Sequence, residues 1–171
     1  MWDVGCYGIH AITQVIGMKL TKVIMNTKLH PIYGVDMTAN CFLSDDSGTV
    51  AEITASMELP FIDYYQIIGT KGTIFVESCF RPDVSPDGKG KVTVKDHKGN
   101  IVLYQTFQSD QYLNQVEHFH DCIFKQEQPL YSLDETTEVI RYVAKCYESL
   151  KNNSIEIAIN PLKSTSKEAN I

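Results

Sequence analysis

Alternation of apolar and polar side chains with a period of two, broken by turn sequences, constrains this chain more than any other feature. After the turn sequence Asp45-Asp46-Ser47-Gly48, the residues Ala51, Ile53, Ala55, Met57 and Leu59 fall on one side of an extended chain. Glu52, Thr54, Ser56 and Glu58 fall on the other. The run Val35 to Leu43 ahead of the turn alternates too, so the pair predicts a long antiparallel hairpin with one wet face. Lys22 to Thr27 predicts a strand before it. A second hairpin is expected from Tyr64 to Ile68, through Gly69-Thr70-Lys71-Gly72, into Thr73 to Glu77. A third joins Lys91 to Lys95 with Ile101 to Phe107. Arg81 to Gly90, rich in Pro, Gly and Asp, reads as an exposed loop.

Helical spacing occurs in three places. The first helix begins at Asp3 and is stopped by Gly17; the second, Gln111 to Phe124, carries Leu113, Val116, Phe119, Ile123 and Phe124 as an apolar stripe. The third runs from about Asp134 to Leu150 behind a capping box, Ser132-x-x-Glu135. Ile155 to Ile159 predicts a last edge strand. Together these elements predict an α+β fold, an open and mostly antiparallel β-sheet with helices packed on one face. Mixed side chains on the other face predict that a second chain or domain covers it. A length of 171 residues suits one domain, expected over 1–160, with 161–171 as a polar C-terminal tail.

The formal net charge of -6, with scattered Lys and Arg, argues against nucleic acid or an anionic membrane as partner and for a small neutral ligand or another protein. Apolar stretches are short and no basic segment leads into one, so neither a membrane span nor a signal peptide is expected, and the location reads as cytoplasmic. Five widely spaced cysteines without a Cys-x-x-Cys pair predict reduced, buried thiols. His118-Phe119-His120 places two imidazoles in different directions on a helix, so no metal site is expected. Gly88-Lys89-Gly90 lacks the third glycine and the following helix of a dinucleotide loop.

Chemistry concentrates at Asp3-Val4-Gly5-Cys6-Tyr7-Gly8-Ile9-His10. At roughly 100° per residue, Tyr7 lies about 40° from Asp3, His10 about 20° to the other side, and Gln14 close by. Val4, Ile9, Ile12, Val15 and Ile16 form the opposite, apolar face. Each polar residue has an ordinary structural role: Asp at a helix start, Tyr at a half-buried surface, His as a hydrogen-bonded group. Their shared face favours a site, with Tyr7 and Asp3 as the catalytic pair and His10 and Gln14 as substrate-binding residues. A phenol titrating near pH 10 works as acid or base only beside a group that orients or tunes it.

The Asp3 to His10 segment, the Gly69-Thr70-Lys71-Gly72-Thr73-Ile74 turn, and Gln115-Val116-Glu117-His118-Phe119 with Ser132-Leu133-Asp134-Glu135 resemble the C-terminal domain of the glucose-fructose oxidoreductase and inositol dehydrogenase (Gfo/Idh/MocA) family. The likeness is greatest to the branch of dimeric dihydrodiol dehydrogenase and sugar dehydrogenases, in which a Tyr follows the helix-start Asp by four positions; elsewhere a His stands there. The resemblance implies an open sheet carrying substrate and homo-oligomer surfaces, and a preceding Rossmann domain, absent from this sequence, that binds NAD or NADP. Trp2 directly before Asp3 is then expected to mark the domain junction. Tyr7 would serve the oxygen of a sugar, polyol or diol during hydride transfer, with Asp3 in support. The family's Glu-Lys-Pro lysine would come from the other domain, and no Glu-Lys-Pro occurs here. Alone, this chain is then expected to fold without turning over. Two other readings use the same residues: a non-catalytic relative that senses a ligand or binds a protein, and a free-standing binding module.

Overall fold

The computed structural model describes residues 1–160, so the expected tail at 161–171 lies outside the described residues. Three helices, α1 (Gly5–His10), α2 (Gln111–Phe124) and α3 (Leu133–Lys151), accompany eight strands. The strands are β1 (Lys22–Leu29), β2 (Asp36–Ser44), β3 (Val50–Ser56), β4 (Tyr64–Gly69), β5 (Gly72–Glu77), β6 (Gly90–Asp96), β7 (Ile101–Phe107) and β8 (Ile157–Ala158). They form two four-stranded sheets, β3-β2-β1-β8 and β4-β5-β6-β7, antiparallel at every pairing. The class is the α+β fold expected, with the strands divided between two compact units.

Among the described residues, the first unit comprises 1–59 and 131–160. Register pairs Met25 with Cys41 and Cys41 with Ile53, so the period-two pattern puts Val23, Met25, Ala39, Cys41, Leu43, Ile53 and Ala55 on one buried face. α3 covers it with Val139, Tyr142, Val143 and Cys146, α1 adds Ile9, and the turn that follows α1 adds Ile12. Each such side chain contributes about 1.5–3 kcal/mol on burial. α1 approaches β3 closely because Gly8 has no side chain: a Cβ there would sit 3.0 Å from Ile53 Cγ2. β8 pairs with β1 at the sheet edge, as the Ile155 to Ile159 pattern predicts.

Three local expectations need correction. Asp3 precedes the first helix and is not in its first turn, because Cys6 N–H donates back to Met1 O at 2.9 Å and the helix starts at Gly5 after an N-cap at Val4. After His10 the helix widens into a π-helical turn, Ala11–Val15, with Ile16 N–H donating to Ala11 O at 3.1 Å. Hence only Ile9 and Ile12 of the expected apolar face are buried, while Val4, Val15 and Ile16 are exposed. β3 also stops short of Met57 and Leu59, which are exposed. The Ser56 hydroxyl accepts from Glu58 N–H (3.2 Å) and Leu59 N–H (3.1 Å) and bends the chain off the sheet.

The second unit is residues 60–130. Register aligns Ile67, Ile74, Val94 and Leu103 across one face of its sheet and Gln66, Phe75, Thr93 and Tyr104 across the other. The Arg81 to Gly90 loop is present, with a short 3₁₀ turn at Pro82–Val84. The Asp63 carboxylate anchors it by accepting from Phe80 N–H (3.0 Å), Arg81 N–H (2.7 Å) and the Cys79 thiol (3.1 Å). α2 is capped by the Asp110 side chain, which accepts from Tyr112 and Leu113 N–H. Its boundaries match the sequence, but its stripe does not pack: none of its residues is buried.

Candidate functional site

The candidate site is built on α1, whose short helix lies against β3 and α3. Ile9, fully buried, fixes the helix from below. Tyr7 projects from the opposite part and is 53% exposed. Asp3 is exposed on the turn leading into α1, and its backbone carbonyl accepts from the Cys6 thiol at 3.2 Å. Burial, followed by the field of Asp3, pushes the Cys6 thiol up, while nearby backbone bonds and the chain's amino terminus act the other way. The nucleophilic thiolate is thus disfavoured beside Tyr7.

His10 is half-buried three residues after Tyr7, which places the two on neighbouring parts of the helix surface. Its ring meets Tyr131 edge-on, with centroids 4.8 Å apart and planes at 82°. Gln14 is half-buried in the widened turn, where an i→i−5 bond replaces regular spacing and rotates it off an ideal stripe. Thr13, in the same turn, donates its hydroxyl proton to Ile9 O at 3.0 Å and helps hold that geometry.

Tyr131 and Glu135 are the residues the sequence reading did not assign to the site. Tyr131 directly precedes the α3 N-cap, and Glu135 sits in the first turn. Glu135 Oε2 accepts from Ser132 N–H (2.7 Å) and Ser132 Oγ–H (2.8 Å), while Glu135 N–H donates to Ser132 Oγ at 3.2 Å. Those Ser132 bonds, backbone first, hold the Glu135 carboxyl below its ordinary range, and the field of His10 adds to them. Burial pushes the Tyr131 phenol up, partly offset by its bond to Thr136. The capping box was legible from Ser132-x-x-Glu135; its placement against His10 was not, because nothing local encodes how α3 meets α1.

Two shallow hollows, of about 140 and 240 Å³, have no α1 residue in their linings. His118 and His120 do not converge on a common ligand: His118 Nε2 accepts from Leu130 N–H at 3.0 Å, and His120 contacts Asp121 at 3.2 Å. Among the described residues no group of three His, Cys, Asp or Glu side chains could hold a metal, and no helix is long and apolar enough to cross a membrane. Gly88-Lys89-Gly90 enters β6, not a helix, and no strand pair is parallel. The described residues therefore do not fit a dinucleotide on a βαβ unit.

A family model described as the GFO/IDH/MocA C-terminal domain matches residues 1–75, the span holding α1 and β1 to β5 up to Phe75. A D-xylose 1-dehydrogenase (NADP(+)) of Haloferax volcanii is 28% identical over 152 residues, covering 89% of this chain and 46% of that protein. A dTDP-3,4-didehydro-2,6-dideoxy-alpha-D-glucose 3-reductase of Actinomadura kijaniata is 24% identical over 127 residues, 74% of this chain and 37% of that protein. The chain thus spans less than half the length of these relatives. In fold, it superposes on an aldose-aldose oxidoreductase from Caulobacter crescentus, crystallised with glycerol, with a TM-score of 0.74 at 16% identity, over 92% of this chain and 46% of that one. By sequence, residues 1–75 match the GFO/IDH/MocA C-terminal domain, and in fold most of the chain matches part of the aldose-aldose oxidoreductase.

Proposed function

We propose that residues 1–160 are the substrate-binding and oligomerisation half of an NAD(P)-dependent oxidoreductase acting on a sugar, polyol or diol. The observation that carries this reading is the placement of Tyr7. Its phenol stands half in solvent on a helix whose buried side is fixed, four residues after Asp3 and three before His10, inside the span that matches the family model. The D-xylose dehydrogenase and the sugar reductase among the relatives support the substrate class, and the NADP(+) in the former's name supports the cofactor.

The nicotinamide would give or take the hydride and belongs to a nucleotide-binding domain outside these residues. The part of the reaction assigned to this chain is the proton. When a hydroxyl-bearing carbon loses hydride, its oxygen must lose a proton to become a carbonyl; in reduction the proton returns. Tyr7 Oη takes and returns that proton. Asp3 orients the phenol, and a cation supplied by the other domain makes the phenolate accessible. His10 and Gln14 hold other hydroxyls of the substrate. The open sheet face joins two copies of the chain.

In the complete oxidoreductase polypeptide, Tyr7→Phe is expected to lower kcat for aldose oxidation by about 10²–10⁴-fold, the usual contribution of a general acid or base, while leaving the fold intact. NAD(P)H formation with a panel of aldoses and diols measures it. Wild-type activity in the variant would remove Tyr7 from this role.

A further inference from the structure

The His10 ring is met by a part of the chain more than a hundred positions away. Tyr131 is itself anchored through its neighbour in the chain. Its C-terminal neighbour Ser132 is locked by the reciprocal bonds with Glu135. Thr136 in turn donates to Ser132 O at 3.0 Å. The Tyr131 ring meets the imidazole at 82° with centroids 4.8 Å apart. An edge-to-face contact of this kind restricts the neighbouring ring without using its nitrogens.

We propose that Tyr131 is a positioning residue of the substrate site: placed directly before the capping box that starts α3, it sets the plane of the His10 imidazole so that a ring nitrogen meets a substrate hydroxyl beside Tyr7. This rests on the function proposed above and adds to it a residue acting through His10 and not on the reacting atoms. The effect belongs to binding. Losing a correctly placed hydrogen bond to a spectator hydroxyl weakens the ground state and the transition state alike, which raises KM and spares kcat.

The test compares steady-state kinetics of the complete oxidoreductase with D-xylose as probe, in Tyr131→Phe, Tyr131→Leu, Tyr131→Ala and His10→Ala variants, with thermal unfolding recorded for each. Tyr131→Leu and Tyr131→Ala are expected to raise KM about fivefold with kcat within about twofold of wild type, the size expected for losing one edge-to-face contact. Tyr131→Phe, which keeps the ring edge, restores the wild-type KM. In the His10→Ala background, Tyr131→Ala adds nothing further. An unchanged KM in folded Tyr131→Leu or Tyr131→Ala, or an equal rise in KM with His10 already removed, overturns the inference. If the wild type turns over no aldose or diol, or if Tyr7→Phe remains active, the functional reading itself fails and takes this inference with it.

Discussion

Ser149 shows how one residue joins helix to sheet. It lies on α3 fully buried, its Oγ accepting from Met25 N–H of β1 at 3.1 Å and donating to Ile155 O. β8 pairs only with Lys22 and Val23, so the next outward N–H of β1 would face apolar side chains without that hydroxyl. Ser149→Ala leaves a buried donor and a buried acceptor unsatisfied, a loss of about 1–3 kcal/mol. Calorimetry should find the unfolding midpoint lowered by roughly 3–8 °C; an unchanged midpoint would show that the bonds are dispensable. Tyr142 illustrates the same rule for a larger side chain: burial, then its bond to Glu138 at 2.7 Å, pushes the phenol up to about 12. Cys146 is buried beside Cys41, and that neighbour together with burial pushes its thiol up, which keeps it a neutral core group.

Single positions decide whether whole elements form. The β4–β5 hairpin turns through Thr70 and Lys71 into Gly72, whose φ is +149°. A Cβ there would lie 1.9 Å from Lys95 O of the neighbouring strand. Gly72→Ala is expected to cost more than about 2 kcal/mol through strain and clash together. Amide hydrogen exchange should report it as lost protection along β4, β5 and β6 with β1 to β3 unaffected; wild-type exchange would refute it. The α3 capping box makes a pH-dependent contribution. The folded Glu135 carboxyl titrates below its ordinary value near 4.5. Its stabilisation is therefore fully present above that value and disappears as pH falls through the folded pKa. Between pH 6 and pH 3, thermal melts of Glu135→Gln should lose less stability than the wild type; parallel curves would count against the capping role.

For the whole molecule, oligomerisation through an open sheet face is the property to test. The uncovered face of the first sheet carries Ile24, Phe42, Asn40 and Thr54, with Thr54 donating to Asn40 Oδ1 at 2.9 Å. Light scattering on the chain should give a dimer mass, and Phe42→Lys, a charge on a residue 52% exposed in the single chain, should shift it to monomer. A monomer at all concentrations in the wild type would reject the proposed interface.

Strand identity was legible because period two survives any tertiary arrangement: a sheet with one buried face must repeat that way. β4, β5, β7 and α2 start or end within a residue of the pattern, and the α3 capping box lies where Ser132 and Glu135 predict. The sequence could also place Tyr7, His10 and Asp3 within one short segment. It could not show that the helix begins only at Gly5 or that it widens at Ala11, since apolar spacing does not mark where the ladder of backbone bonds starts or shifts. Nor could it bring Tyr131 to His10. Local spacing encodes which residues share a face of one element, whereas contacts between distant elements follow from how their apolar surfaces fit together, and that fit exists only in the folded chain.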